Sequence, residues 1–275
     1  VYLMHSNSII TDSEILANTA PSGAGVFCEE ADPLIRSTFI INNTPSNAGG
    51  GIYSNNRSHP QFEEVTIDGN HARYGGAFYG VFQGNSEINN SIISNNVATR
   101  DGGGFYVTDS YSLNLNQTSI LSNSATSSGG GILASDHSNT RIDRVIISGN
   151  NANTGGGIYS ASQWGALYAT NSQIINNHAQ TQGGGVCLSM SIGSNIENVD
   201  ILNNSSSNGG GLYIAGSARD IFLNDVNIAD NTALSKGGGV YAASGAYPSM
   251  TNVTIASNSA LISGGGIYIS DSNTH

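Results

Sequence analysis

The chain has 275 residues, of which only 10% are charged, and 8 Lys and Arg stand against 19 Asp and Glu for a formal net charge of −11. So few basic residues, with no cluster among them, exclude electrostatic nucleic-acid binding, and no apolar run approaches the ~18 residues of a membrane span. The two cysteines, Cys28 and Cys187, are too few for a disulfide framework.

Read from the N-terminus, the first full unit begins at the apolar Ile10. Polar Thr11 and Asp12 follow, then Ser13, Ile15, Asn18, the triplet Gly23-Ala24-Gly25, aliphatic Val26 and aromatic Phe27. The same order then returns along the whole chain. The Asn recurs at Asn18, Asn43, Asn70, Asn96, Asn123, Asn150, Asn177, Asn204, Asn231 and Asn258, with gaps of 25, 27 and 26 and then 27 six times. Three residues before each stands an Ile, from Ile15 to Ile255, and seven or eight residues after it the glycine triplet ends. A fixed period of this length predicts a solenoid, because each unit can bury its apolar face only against its neighbours.

The columns specify the coil. Eight residues before the Asn come Ile10, Ile35, Phe62, Ile88, Leu115, Ile142, Ala169, Ile196, Leu223 and Met250, all apolar. An aliphatic or aromatic residue follows each triplet, from Val26 to Ile267. Short alternating segments rich in β-branched residues, broken by Gly, Asn and Ser, read as strands, and no segment has a helical period. Three anchors per repeat predict an all-β, right-handed parallel β-helix of about ten coils, with three short strands per coil and coils of 26–28 residues. At one strand spacing per coil the rod is roughly 48 Å long, and Cys28 and Cys187 lie roughly 29 Å apart, too far to bridge. Residues 1–275 read as a single β-helix segment. The absence of a signal or an atypical end repeat is the expectation for an internal part of a longer repeat protein.

Three columns invite a functional question. The ten Asn residues are expected to form a hydrogen-bonded ladder at a turn, since Asn tolerates left-handed backbone and its amides stack from coil to coil. The glycines have a local reading, positive φ or backbone too close for a Cβ, and a second one, a flat face that admits another chain. After the aliphatic position come Phe27, Tyr53, Tyr79, Tyr106, Leu133, Tyr159, Cys187, Tyr213, Tyr241 and Tyr268. Alternation points this column outward or to a corner. Tyr53, Tyr79, Tyr106, Tyr159, Tyr213, Tyr241 and Tyr268 are therefore either a partner or glycan face or a cross-coil stack. Together with the glycines they are the expected lateral packing face.

Blocks such as Gly49-Gly50-Gly51-Ile52 and Gly75-Gly76-Ala77-Phe78, paired with Ile120-Leu121-Ser122-Asn123, resemble the repeat of the chlamydial polymorphic outer-membrane proteins. That family carries Gly-Gly-Ala-aliphatic and Phe-x-x-Asn motifs. Here Ile replaces Phe, and Gly replaces Ala in most blocks. The resemblance spans all ten coils and implies a right-handed β-helix passenger exposed at a cell surface, often adhesive.

A catalytic β-helix is the alternative to the rod. Glycoside hydrolysis needs two carboxylates about 5–9.5 Å apart. The candidates are Asp109 and Asp136, each five residues beyond its triplet, with His137 adjacent. Arg141 and Arg144 are the paired basic residues and read as part of a turn. The six His residues show no metal-ligand spacing. The expectation is thus a non-catalytic extracellular or cell-surface rod, structural or adhesive, without cofactor or metal. It would be a filament subunit or adhesin passenger whose partners are other protein chains packed end-to-end or laterally, or a cell-surface protein or glycan. The runner-up is a polysaccharide lyase or hydrolase.

Overall fold

The computed structural model describes residues 1–270. Among these residues every element is a strand, and the strands form three sheets of 11, 18 and 8 members in which all pairings are parallel. Residues of one repeat column pair directly, as Phe78 with Phe105 and Tyr79 with Tyr106. A one-residue slip would turn the core face outward, so this strict register follows from the apolar columns themselves.

One coil shows how the chain turns. Strand Phe105–Val107 lies in the first sheet, Ser112–Asn116 and Ser119–Leu121 in the second, and Ser124–Ala125 in the third. The second sheet is bent, so a coil carries four strand segments in three sheets. Gln117, with φ of 49°, sits at the bend, and in two coils the strands Leu167–Ile175 and Asn195–Leu202 run through it at Asn171 and Asn198. A single left-handed residue is enough to turn the strand while both halves stay in register.

The ladder Asn is not the left-handed residue. That conformation belongs to its predecessor, for example Asn95 at 54° and Ser122 at 55°. Asn is common there but Ala17, Gly69, Gly149 and Ser257 also serve. The ladder position is fixed by its side-chain hydrogen bonds instead. The apolar columns fill the core: Ile35, Ile40, Ile67, Ile93, Ile120, Ile147 and Ile174 have no solvent exposure. The Ser/Thr/Val column five residues before the ladder is buried too from Thr38 to Val226. Ser91 Oγ donates to Asn89 O at 2.6 Å and accepts from Val65 N at 3.1 Å, which lets a hydroxyl replace a methyl at no hydrogen-bonding cost.

The triplet Gly102–Gly104 shows why glycine is required. Gly102 has φ of 68°, and a Cβ there would meet the Tyr106 Cβ at 2.5 Å. A Cβ on Gly103 would lie 2.4 Å from Gly130 O and 2.6 Å from the Ser124 backbone, and one on Gly104 2.5 Å from Gly131 O. The third sheet is pressed against the glycines, which also explains its buried Ala98, Ala125 and Ala152. All three glycines are buried. The local reading of the triplets therefore holds, and they do not form the flat external face that the sequence allowed. The one-residue length differences before the triplets are absorbed by irregularities of register in the third sheet, as between Ala72 and Tyr74.

Cys28 and Cys187 are both free and buried. Burial pushes the Cys28 thiol up to about 12 and raises that of Cys187 as well, so neither is a poised nucleophile.

Candidate functional site

Two surfaces concentrate the residues singled out by the sequence. The first is the outer side of the first sheet. Centroid separations are 5.1 Å for Tyr2–Phe27, 4.8 Å for Phe27–Tyr53, 5.3 Å for Tyr53–Tyr79 and 5.2 Å for Tyr79–Tyr106. Leu133 and Cys187, both buried, interrupt the stack around Tyr159, and it resumes as Tyr213–Tyr241–Tyr268 at 4.9 and 5.1 Å. The rings are half-buried in one another, and each stacked pair adds roughly 0.5–1.5 kcal/mol beyond its buried area.

Several hydroxyls on this face already have partners. Gln182 Nε2 donates to Tyr213 Oη at 3.1 Å and Lys236 Nζ to Tyr268 Oη at 3.0 Å, and at the margin of the face Arg100 Nη1 donates at 2.8 Å to Oη of Tyr74 in the third sheet. Desolvation raises Tyr53, Tyr79, Tyr106 and Tyr159, and pushes Tyr213 up to about 12. The hydrogen bond from Lys236 lowers Tyr268. The ring contacts follow the cross-coil stacking reading of this column, face to face at Phe27–Tyr53 and Tyr213–Tyr241 and edge-on at Tyr79–Tyr106.

The second surface is the corner between the first and second sheets. Most coils turn there through two successive left-handed residues, such as Asn56-Arg57, Phe82-Gln83, Asp109-Ser110 and Asp136-His137. Such a turn drives side chains away from the core, so this is where the repeat is free to vary. Exposed Phe82, Trp164, Met190 and Tyr247 lie along it. Between its N-terminal coils runs an open groove of about 800 Å³ lined by Glu30, Asp32, Arg57, His59, Phe82, Asp109 and His137, with Asn56, Gln83 and Ser110.

Of the acid pair read from the sequence, one member lines this groove. Asp109 lines it, whereas Asp136 folds back so that its Oδ2 accepts from Thr108 Oγ1 at 3.0 Å and from Ser135 Oγ at 3.2 Å. His137 does reach the groove. Asp32 and His59, missed from sequence, meet there: Asp32 Oδ1 lies 3.0 Å from His59 Nδ1 and accepts its backbone N–H at 2.9 Å. Their position just beyond the aromatic column on successive coils, five residues after Phe27 and six after Tyr53, was the available signal. Arg57 Nε is 3.4 Å from Gln83 Oε1.

Arg141 and Arg144 lie on the second sheet, outside the groove. The Arg141 guanidinium covers the Tyr168 ring at 4.3 Å, and Arg144, at the bend, reaches Asp143 at 3.0 Å and Asn116 Oδ1 at 2.9 Å. Hydrogen bonds from Asn171 and Thr170, with Arg144 beside them, hold the Asp143 carboxyl below its usual range. Among the described residues no group of three or more His, Cys, Asp or Glu is placed to hold a metal ion, and no helix is long and apolar enough to cross a membrane.

Ten stacked parallel coils with buried aliphatic columns and an internal Asn ladder match one known family. The family model described as the right-handed β-helix region matches residues 1–163 and 103–275, which together cover the chain. The chain belongs to the right-handed β-helix family. No curated protein and no solved structure matches it. The β-helix architecture is shared by enzymes and by rod-like proteins, so the family fixes the fold and leaves the activity to be argued from the residues.

Proposed function

We propose that this β-helix is a non-catalytic rod exposed outside the cell, structural or adhesive, serving as a filament subunit or as the passenger of a surface adhesin. The observation that carries this reading is the internal use of its repeated polar and aromatic groups. The Asn ladder, the hydroxyl column and the Tyr stack bond or pack from coil to coil, and the Asp136 carboxylate is taken up by the Thr108 and Ser135 hydroxyls. A surface of Asn, Ser, Thr and Gly with few charges suits an exposed rod, and the resemblance to the chlamydial repeat supports an adhesive passenger. Its partners would be other protein chains or a cell-surface protein or glycan.

The groove at the first corner favours a second reading, a carbohydrate-active enzyme. Asp32, Asp109, His59 and His137 provide acids and bases beside the exposed Phe82, against which a sugar ring can pack. Incubation with neutral and acidic polysaccharides distinguishes the two. The rod releases no new reducing ends and no unsaturated uronate. Release that is lost in Asp109→Asn or Asp32→Asn would establish the enzyme.

A further inference from the structure

The second half of the bent sheet carries a surface that none of the preceding roles uses. Each coil contributes three residues to it, with the buried ladder-associated Ile in the middle and two side chains pointing outward. In successive coils the outward pairs are Glu14 and Leu16, Phe39 and Ile41, Thr66 and Asp68, Ile92 and Ser94, Ser119 and Leu121, and Ile146 and Ser148. Gln173 and Ile175, Asp200 and Leu202, Asn227 and Ala229, and Thr254 and Ala256 complete the ten rows. Ile92 and Ile146 are 46% and 40% exposed, and Phe39 47%. From Ile92 to Ile175 the eight outward residues include no charge, although the chain as a whole carries −11. Large and small residues alternate in both directions there: Ile92 stacks on Ser119 and that on Ile146, while Ser94 stacks on Leu121 and that on Ser148.

We infer that this face packs against the same face of a second copy of the chain, antiparallel, about a two-fold axis between the rows of Ser119 and Ile146. A two-fold contact requires a self-complementary patch, and the checkerboard supplies one. In this arrangement row ten faces row one, row nine faces row two, and so on along the rod. Ile146 then meets Ser119, Leu121 meets Ser148, and Ile92 meets Gln173. Farther out, Phe39 meets Asn227, Ile41 meets Ala229 and Leu16 meets Ala256. Asp200 meets Thr66, whose hydroxyl can donate to it. Asp68 meets Leu202, and that carboxylate is already bonded by Ser94 at 2.6 Å and Asn95 at 2.8 Å.

A parallel pairing fits worse, because it sets Phe39 against Ile41 and Glu14 against Leu16. Ten rows about 4.8 Å apart and roughly 16 Å of chain across give about 770 Å² per copy, close to the ~800 Å² per partner of a standard stable interface. Of the twenty outward residues only Glu14, Asp68 and Asp200 are charged, and none lies in the four central rows, so repulsion between two copies of net −11 is weak across the centre of this face.

Sedimentation equilibrium of the 275-residue chain should show a dimer. Leu121→Asp, which buries a carboxylate twice across the two-fold, should weaken it by at least about 100-fold. Tyr106→Ser, on the first sheet, should leave it intact. Far-ultraviolet circular dichroism confirms that each variant is folded, and Ile92→Lys repeats the test with the opposite charge. A spin label on Asn227→Cys should report a distance of about 35 Å across the dimer, against about 10 Å for parallel packing. A monomer at high concentration, a dimer indifferent to both Leu121→Asp and Ile92→Lys, or the short label distance would overturn the proposal.

Discussion

Asn123 directs two donors at one oxygen: its backbone N–H and its Nδ2 both reach Oδ1 of Asn150, at 2.9 and 3.1 Å. Nδ2 also donates back to Ile93 O at 3.0 Å, while Asn123 Oδ1 accepts the same pair of donors from Asn96. Each amide thus joins three consecutive coils, and every polar atom is used inside a site without solvent. This is what makes the column intolerant of anything but Asn. Asp lacks the donor, and Gln is one methylene too long.

Replacing Asn123 by Leu leaves the N–H and Nδ2 of Asn96 without their acceptor and Ile93 O without its Nδ2 donor. Buried unpaired groups cost about 1–3 kcal/mol each, so Asn123→Leu is expected to destabilise the rod by about 3–5 kcal/mol. Gln117→Ala, at a left-handed corner already open to solvent, should stay within about 0.5 kcal/mol of the parent. Denaturant unfolding of both variants checks the contrast.

The coil was legible because its causes are one-dimensional. Apolar anchors at fixed spacing, Asn beside a turn and glycine where a Cβ has no room are all properties of one column, and stacking repeats them. The Ile columns could be assigned from the chain alone, whereas the glycine triplets admitted two readings that the backbone of the next coil decides. What lay beyond reach depends on neighbours in the next coil. That Asp136 turns onto Thr108 while Asp109 faces the groove is decided by rotamers and by a hydroxyl 28 residues away. The alternation of Ile92, Ser119 and Ile146 was visible as text, but its meaning requires knowing that these positions point outward in adjacent rows.

The glycine triplets give a steric prediction. Gly103→Ala places a methyl against Gly130 O and the Ser124 backbone, both main-chain atoms that cannot rotate away. Overpacking of this kind costs about 1–3 kcal/mol, and the third sheet should yield first. Hydrogen exchange should therefore speed up at Ser124 and Ala125 more than in the second sheet. Uniform acceleration would show that the third sheet is not the weaker partner.

Among the described residues three buried hydroxyls lack partners: Ser138 Oγ, Thr140 Oγ1 and Ser162 Oγ. The column neighbours of Thr140 are Leu113 and Leu167, so its site is otherwise apolar. Thr140→Val keeps the shape and removes the unsatisfied group, and should stabilise the rod by about 1 kcal/mol. An unchanged or lower melting temperature would mean that the hydroxyl is satisfied in solution.

The tyrosine stack makes the rod sensitive to alkali. Desolvation raises Tyr53, Tyr79, Tyr106 and Tyr159 above the usual tyrosine value of 10.0 and takes Tyr213 to about 12. In the unfolded chain these phenols ionise near 10, whereas in the rod they still hold their protons. The native state therefore binds more protons between the two values, and stability must fall as pH rises there. Below pH 10 the contribution of the stack is intact and does not vary with pH. From about pH 10 through about pH 12 it is progressively lost. Melting temperatures across that range should show the decline, and tyrosinate absorbance should rise late, in step with unfolding. Tyr213→Phe keeps the ring stacked against Tyr241 and removes the proton, so it should flatten part of the alkaline slope without lowering neutral stability by more than about 1 kcal/mol. A slope identical to the parent would show that Tyr213 ionises freely and that its burial against Tyr241 is incomplete.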